Sequence, residues 1–100
     1  MEKKYTYDFS LEKNKKLIKE RGVSFEEIIS AIESGCLLDV IEHPNPEKYY
    51  NQRIYLVEFS NYVYLIPFIM QEDGTIFLKT IFPSRKATNK YLKESKNNEE

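Results

Sequence analysis

The sequence predicts an α+β domain: two short N-terminal helices packed on an antiparallel β-meander of about four strands, followed by a short C-terminal helix. Three observations carry that expectation. Ser24-Phe25-Glu26-Glu27 is a capping box that opens a helix. The apolar residues switch from helical to strand-like spacing after Gly35. Two β-branched and aromatic runs are parted by Ser60-Asn61, a pair suited to a tight hairpin.

Tyr5-Thr6-Tyr7-Asp8-Phe9 alternates weakly, as a short strand or extended arm does. Ser10 is a good N-cap, and Leu11, Asn14, Leu17 and Ile18 fall on one side of a helix running to about Glu20, which Gly22 ends. Phe25, Ile28, Ile29 and Ile32 form the stripe of a second helix that stops near Gly35. A strand follows over Leu37-Leu38-Asp39-Val40-Ile41-Glu42, and Pro44 and Pro46 keep the next loop irregular. Arg53 to Phe59 and Tyr62 to Ile66 make the hairpin, and Pro67 is expected to leave the ladder or lie at an edge. The turn Glu72-Asp73-Gly74-Thr75 leads to a fourth strand, Ile76 to Phe82. Ser84 then caps a helix reaching about Tyr91, and the polar tail 94–100 is expected to fray.

One hundred residues make a single domain, placed over 1–93. Cys36 is the only cysteine, so no internal disulfide and no Cys-rich metal site can form. With no long apolar run, the expected compartment is the cytoplasm and no membrane is involved. The net charge of −1 argues against general nucleic-acid affinity, but the charge is segregated. Residues 23–48 carry one basic and six acidic side chains, whereas residues 83–93 carry four basic and none acidic.

Phosphate loops, H-E-x-x-H and zinc spacings are absent, and His43 alone cannot form a His pair; a solvated loop side chain is its simpler reading. Four cations stand out. Arg53 and Lys79 are the only basic residues in the predicted hairpin and last strand, and Arg85 and Lys86 open the last helix, where free N–H groups favour anions. Glu58, inside an apolar strand, is the carboxylate best suited to act as a base. Tyrosines around the hairpin, Tyr55 and Tyr64 among them, offer rings for stacking unpaired bases, although tyrosine also simply suits half-buried sheet faces.

Tyr7-Asp8, Lys13-Asn14, Arg21-Gly22-Val23-Ser24-Phe25-Glu26-Glu27, Arg53 at the head of a strand, and Ser84-Arg85-Lys86-Ala87-Thr88 follow one another in an order that resembles BrnT-like toxins of bacterial type II toxin–antitoxin systems. The resemblance spans roughly residues 7–91 and departs at Tyr7 (Trp in the family), Arg21 (His), Pro83 and Thr80. It implies a RelE/ParE-superfamily fold, a ribonuclease that needs no metal or cofactor, and a cognate antitoxin, often a ribbon-helix-helix protein. Carried over by residue, it implies catalytic roles for Lys13, Arg53 and Arg85, with Lys86 beside them. Lys79 and Glu58 join that set on chemical grounds, and Lys86, Tyr55 and Tyr64 are the expected RNA contacts. The alternative is a degenerate, non-catalytic module that still binds an antitoxin-like partner.

Overall fold

In the computed structural model, which describes residues 5–93, ten short elements build an α+β domain with a mixed six-stranded sheet. The strands are β1 (Tyr7–Asp8), β2 (Leu37–Glu42), β3 (Gln52–Phe59), β4 (Tyr62–Met70), β5 (Ile76–Leu78) and β6 (Phe82–Pro83). Helices α1 (Leu11–Arg21) and α2 (Phe25–Glu33) follow β1. Helix α3 (Arg85–Thr88) is the last α-helix among the described residues and continues as a wider π-helical stretch, Asn89–Lys93. The expected tail 94–100 lies outside the described residues.

The sheet order is β1-β5-β4-β3-β2, with β6 pairing β4 beside β5. The meander from β2 to β5 is antiparallel, as expected, but the N-terminal strand returns to lie parallel to β5, with Tyr7 opposite Ile76. The expected fourth strand is split. It pairs β4 through Ile76–Leu78, breaks, and pairs again through Phe82–Pro83.

That break explains Pro67, which neither ends β4 nor lies at an edge. Pro67 faces Ile54 in register, and its carbonyl accepts the Lys79 N–H at 2.8 Å. The nitrogen and carbonyl of a strand residue face the same neighbour, so the missing N–H falls in the gap between β5 and β6. No ladder bond is lost there. Ser60 and Asn61 both take left-handed backbone angles, φ 58° and 64°, the geometry of a type I′ hairpin turn.

Helix α1 is bounded by Ser10, whose Oγ accepts the Lys13 N–H, and by Gly22, whose φ of 68° lets its N–H reach the Ile18 carbonyl. Its buried face is narrower than the sequence stripe suggests. Asn14 and Leu17 are buried, whereas Leu11 and Ile18 face out. Asn14 instead ties the helices together. Its Oδ1 accepts the Phe25 N–H at 2.8 Å and its Nδ2 donates to Glu26 at 2.8 Å, so α1 supplies a second cap for α2 beside the Ser24–Glu27 capping box.

The sheet separates two cores. On one face Leu17, Phe25 and Ile28 pack on Tyr55, Val57, Ile66 and Phe68, with Phe9 stacked on Phe25 at 4.8 Å. On the other, Ile54, Leu56 and Val63 pack under Ala87, Tyr91 and Leu92 of the C-terminal helical segment. Strand alternation produces this division, because successive side chains leave opposite faces. The outer strand β2 carries a bulge between Leu37 and Asp39. Beside it the Asp39 carboxylate accepts the Val40 N–H through Oδ1 and the Tyr91 hydroxyl through Oδ2, both at 2.8 Å. Among the described residues no helix is long and apolar enough to cross a membrane.

Candidate functional site

The Ser84 to Thr88 segment is held by a closed set of hydrogen bonds around one residue of β4. The Ser84 N–H donates to the Val63 carbonyl at 3.0 Å, and the Val63 N–H donates to Thr88 Oγ1 at 2.8 Å. The same Thr88 hydroxyl donates back to the Ser84 carbonyl at 2.7 Å, and Ser84 Oγ caps the turn by accepting the Ala87 N–H. A threonine hydroxyl thus takes the place of a strand neighbour, and the spacing of four residues is one helical turn. Ala87 and Thr88 are buried, and Arg85 and Lys86 are left exposed between the two anchors.

Asn89 and Lys90 continue this exposed side, while Tyr91 and Leu92 turn to the sheet. Arg85, Lys86 and Lys90 therefore form a cationic outer surface on a segment fixed at Val63 and, through Tyr91, at Asp39. Hydrogen bonding to Asp39 also raises the Tyr91 hydroxyl above its ordinary pKa.

Glu58 joins this end of the sheet. It lies opposite Val63 in register, half-buried, and strand alternation places it on the face of Ile54 and Leu56. Lys79 follows β5 with its ammonium 5.7 Å from the centre of the Phe77 ring, exposed beside the break in the strand.

Arg53 does not join them. It shares the opposite face with Tyr55 and lies five residues along β3 from Glu58, roughly 16 Å at the rise of a strand. The four cations expected around one phosphate are therefore divided between the two sides of the sheet. Lys13 stands apart again, in the first turn of α1 beside Ser10, Glu12 and Lys16.

Tyr55 is a correction to the expected stacking residues. It is 7% exposed, and one ring face is occupied by Phe68 at 4.0 Å, so it offers no free platform. Burial pushes its hydroxyl up to about 12 and raises that of Tyr7 as well. Tyr64 is half-buried against the helix-side core, with the Tyr62 ring edge-on at 5.8 Å. His43 lies in the loop after β2 and is partly exposed. Its ring lies 4.2 Å from that of Tyr49, and Nδ1 accepts the Asn45 N–H, which organises the turn after β2.

Two contacts near the site escaped the sequence reading of function. Arg21 donates from Nη1 to the Ile81 carbonyl and lies over the Phe82 ring at 5.3 Å, bracing the strand that leads into Arg85. Asp39, the anchor for Tyr91, lies 52 residues away in sequence. No local pattern signals either contact, since both depend on how distant segments cross. The chain matches no model of a known protein family, and no curated protein matches it in sequence.

Proposed function

We propose that this protein is a metal-independent ribonuclease toxin of a type II toxin–antitoxin system, with a RelE/ParE-like arrangement of its helices and sheet. The observation that carries the reading is the Ser84–Thr88 turn, which fixes Arg85 and Lys86 in solvent at one end of a rigid segment. Backbone held this way needs no ordering when a phosphate arrives, so the ordering cost falls on the Arg85 and Lys86 side chains alone. The ribose 2′-oxygen would attack the adjacent phosphorus and the 5′-oxygen would leave, taking a proton from water, to give a 2′,3′-cyclic phosphate and a 5′-hydroxyl.

In this reading Arg85 neutralises the phosphoryl oxygens and Lys86 and Lys90 track the flanking backbone. Glu58, on the same face, is the carboxylate available to take the 2′-hydroxyl proton. Arg53 lies too far round the sheet to share that phosphate. An antitoxin partner would hold the activity in check in the cell.

Induction of the chain in a bacterium without the antitoxin is expected to stop growth and to generate new 5′-hydroxyl RNA ends. Arg85→Ala is expected to abolish both while leaving the circular dichroism spectrum unchanged. Normal growth with abundant folded protein refutes the reading. The division of the four cations between two faces favours a second reading, a non-catalytic module that retains only partner binding. Intact RNA together with a stable protein partner is the outcome that supports it.

A further inference from the structure

A groove of about 580 Å³ opens on the helix-side face of the sheet, beyond the end covered by α1 and α2. Its floor includes Tyr55 stacked on Phe68, and Arg53 projects at its side. Eight large apolar side chains are exposed among the described residues, and four of them, Tyr5, Val40, Tyr50 and Met70, line this one groove. Scattered exposed apolar residues need no explanation, but a cluster around a concavity marks an interaction site. The mixture of tyrosine, methionine and arginine is also that of a protein-interface centre rather than of ordinary surface.

We infer that this groove is a docking site for a protein partner, taking one aromatic or aliphatic side chain from a segment that places a carboxylate beside it for Arg53. Charge selects this occupant. Arg53 is exposed, and no hydrogen bond engages its guanidinium among the described residues, so it is free to receive an anion in partly apolar surroundings.

A nucleic-acid strand fits worse. Among the described residues Arg53 is the only basic side chain lining the groove, and Glu42, its cross-strand neighbour, lines it too. The groove faces away from the α3 surface, so the inference stands whether or not the protein cleaves RNA.

The test is affinity selection of a random peptide library on the full-length protein, followed by synthesis of an enriched peptide and titration by fluorescence anisotropy. Enriched peptides are expected to pair a large apolar residue with a nearby Asp or Glu. Their affinity is expected to fall at least tenfold with Met70→Asp and with Arg53→Glu, two exposed positions whose variants are first checked for an unchanged circular dichroism spectrum, and with a peptide whose carboxylate is replaced by Lys. In ¹⁵N-labelled protein the bound peptide should shift the Val40 and Tyr50 amides. Absence of enrichment, binding indifferent to both substitutions, displacement of the peptide by an RNA oligonucleotide, or a homodimer dissolved by Met70→Asp would each overturn the inference.

Discussion

Replacing Thr88 with valine removes one hydroxyl and keeps the shape of the side chain, so its effect isolates the bonds that hold the C-terminal helix. The hydroxyl accepts the N–H of Val63, which is fully buried, and donates to the Ser84 carbonyl. The carbonyl retains a partner, because the Thr88 N–H also reaches it at 3.0 Å. The Val63 N–H does not, and a buried donor left unsatisfied costs roughly 1–3 kcal/mol. A loss of about 2 kcal/mol is expected. At roughly 4–8 °C per kcal/mol for a domain of this size, the melting temperature should fall by about 8–16 °C. Urea unfolding at equilibrium is the assay, with the midpoint shifted and the slope unchanged. Thr88→Ser keeps the hydroxyl and should cost clearly less. Amide exchange at Val63 should accelerate in the valine variant. A valine variant within about 0.5 kcal/mol of the parent, below any ordinary cost of a buried unpaired donor, or a serine variant equally destabilised, refutes the assigned role.

Asn14→Ala leaves the buried Phe25 N–H without its side-chain acceptor and should lower stability by about 2 kcal/mol in the same urea assay. The Asn14 hydrogen bond also holds the Glu26 carboxyl below its usual range. That contribution is present above the unfolded-state value and is lost as pH falls through the lowered folded-state value, so acid unfolding should be less pH-dependent in Asn14→Ala. At the other extreme, Tyr55 titrates at about 12 when folded against an ordinary value of 10.0. Stability should therefore be intact below about pH 10 and decline between about pH 10 and 12, which thermal melts across that range and ultraviolet titration of phenolate will follow. Asn61→Gly sets the turn preference for glycine against its greater unfolded-state entropy and should change stability in the urea assay by less than about 1 kcal/mol. If the α3 surface binds RNA backbone, Lys86→Ala and Lys90→Ala should each reduce the slope of log affinity against log salt by about 0.7.

The elements that follow from local chemistry are visible in the sequence. Ser10, Gly22, the Ser24–Glu27 box and the Ser60-Asn61 turn each act within a few residues, and each marks its boundary in the structure. What depends on distant crossings is not visible. The parallel return of Tyr7–Asp8 to β5 has no local signature, and Pro67 is tolerated only because β5 breaks opposite it. The candidate site divides in the same way. The segment carrying Arg85 and Lys86 stands out as a run of basic residues, but the sidedness of a strand, set by odd and even positions, is what separates Arg53 from it. The Ser84 and Thr88 positions carry no charge to attract notice, yet they fix the backbone that carries Arg85.

Asp39 has a consequence that reaches beyond its two hydrogen bonds. By taking the Val40 N–H and standing beside a bulge, it disables part of the row of backbone donors on which another chain could extend the sheet. Main-chain pairing is indifferent to sequence, so an open rim would accept many extended segments, including misfolded copies of the same chain. With the rim blunted and the side chains of the adjacent groove exposed, a partner at this edge would have to be chosen by side-chain fit. If the groove takes a partner, the same carboxylate that anchors the last helix would thereby make this edge selective.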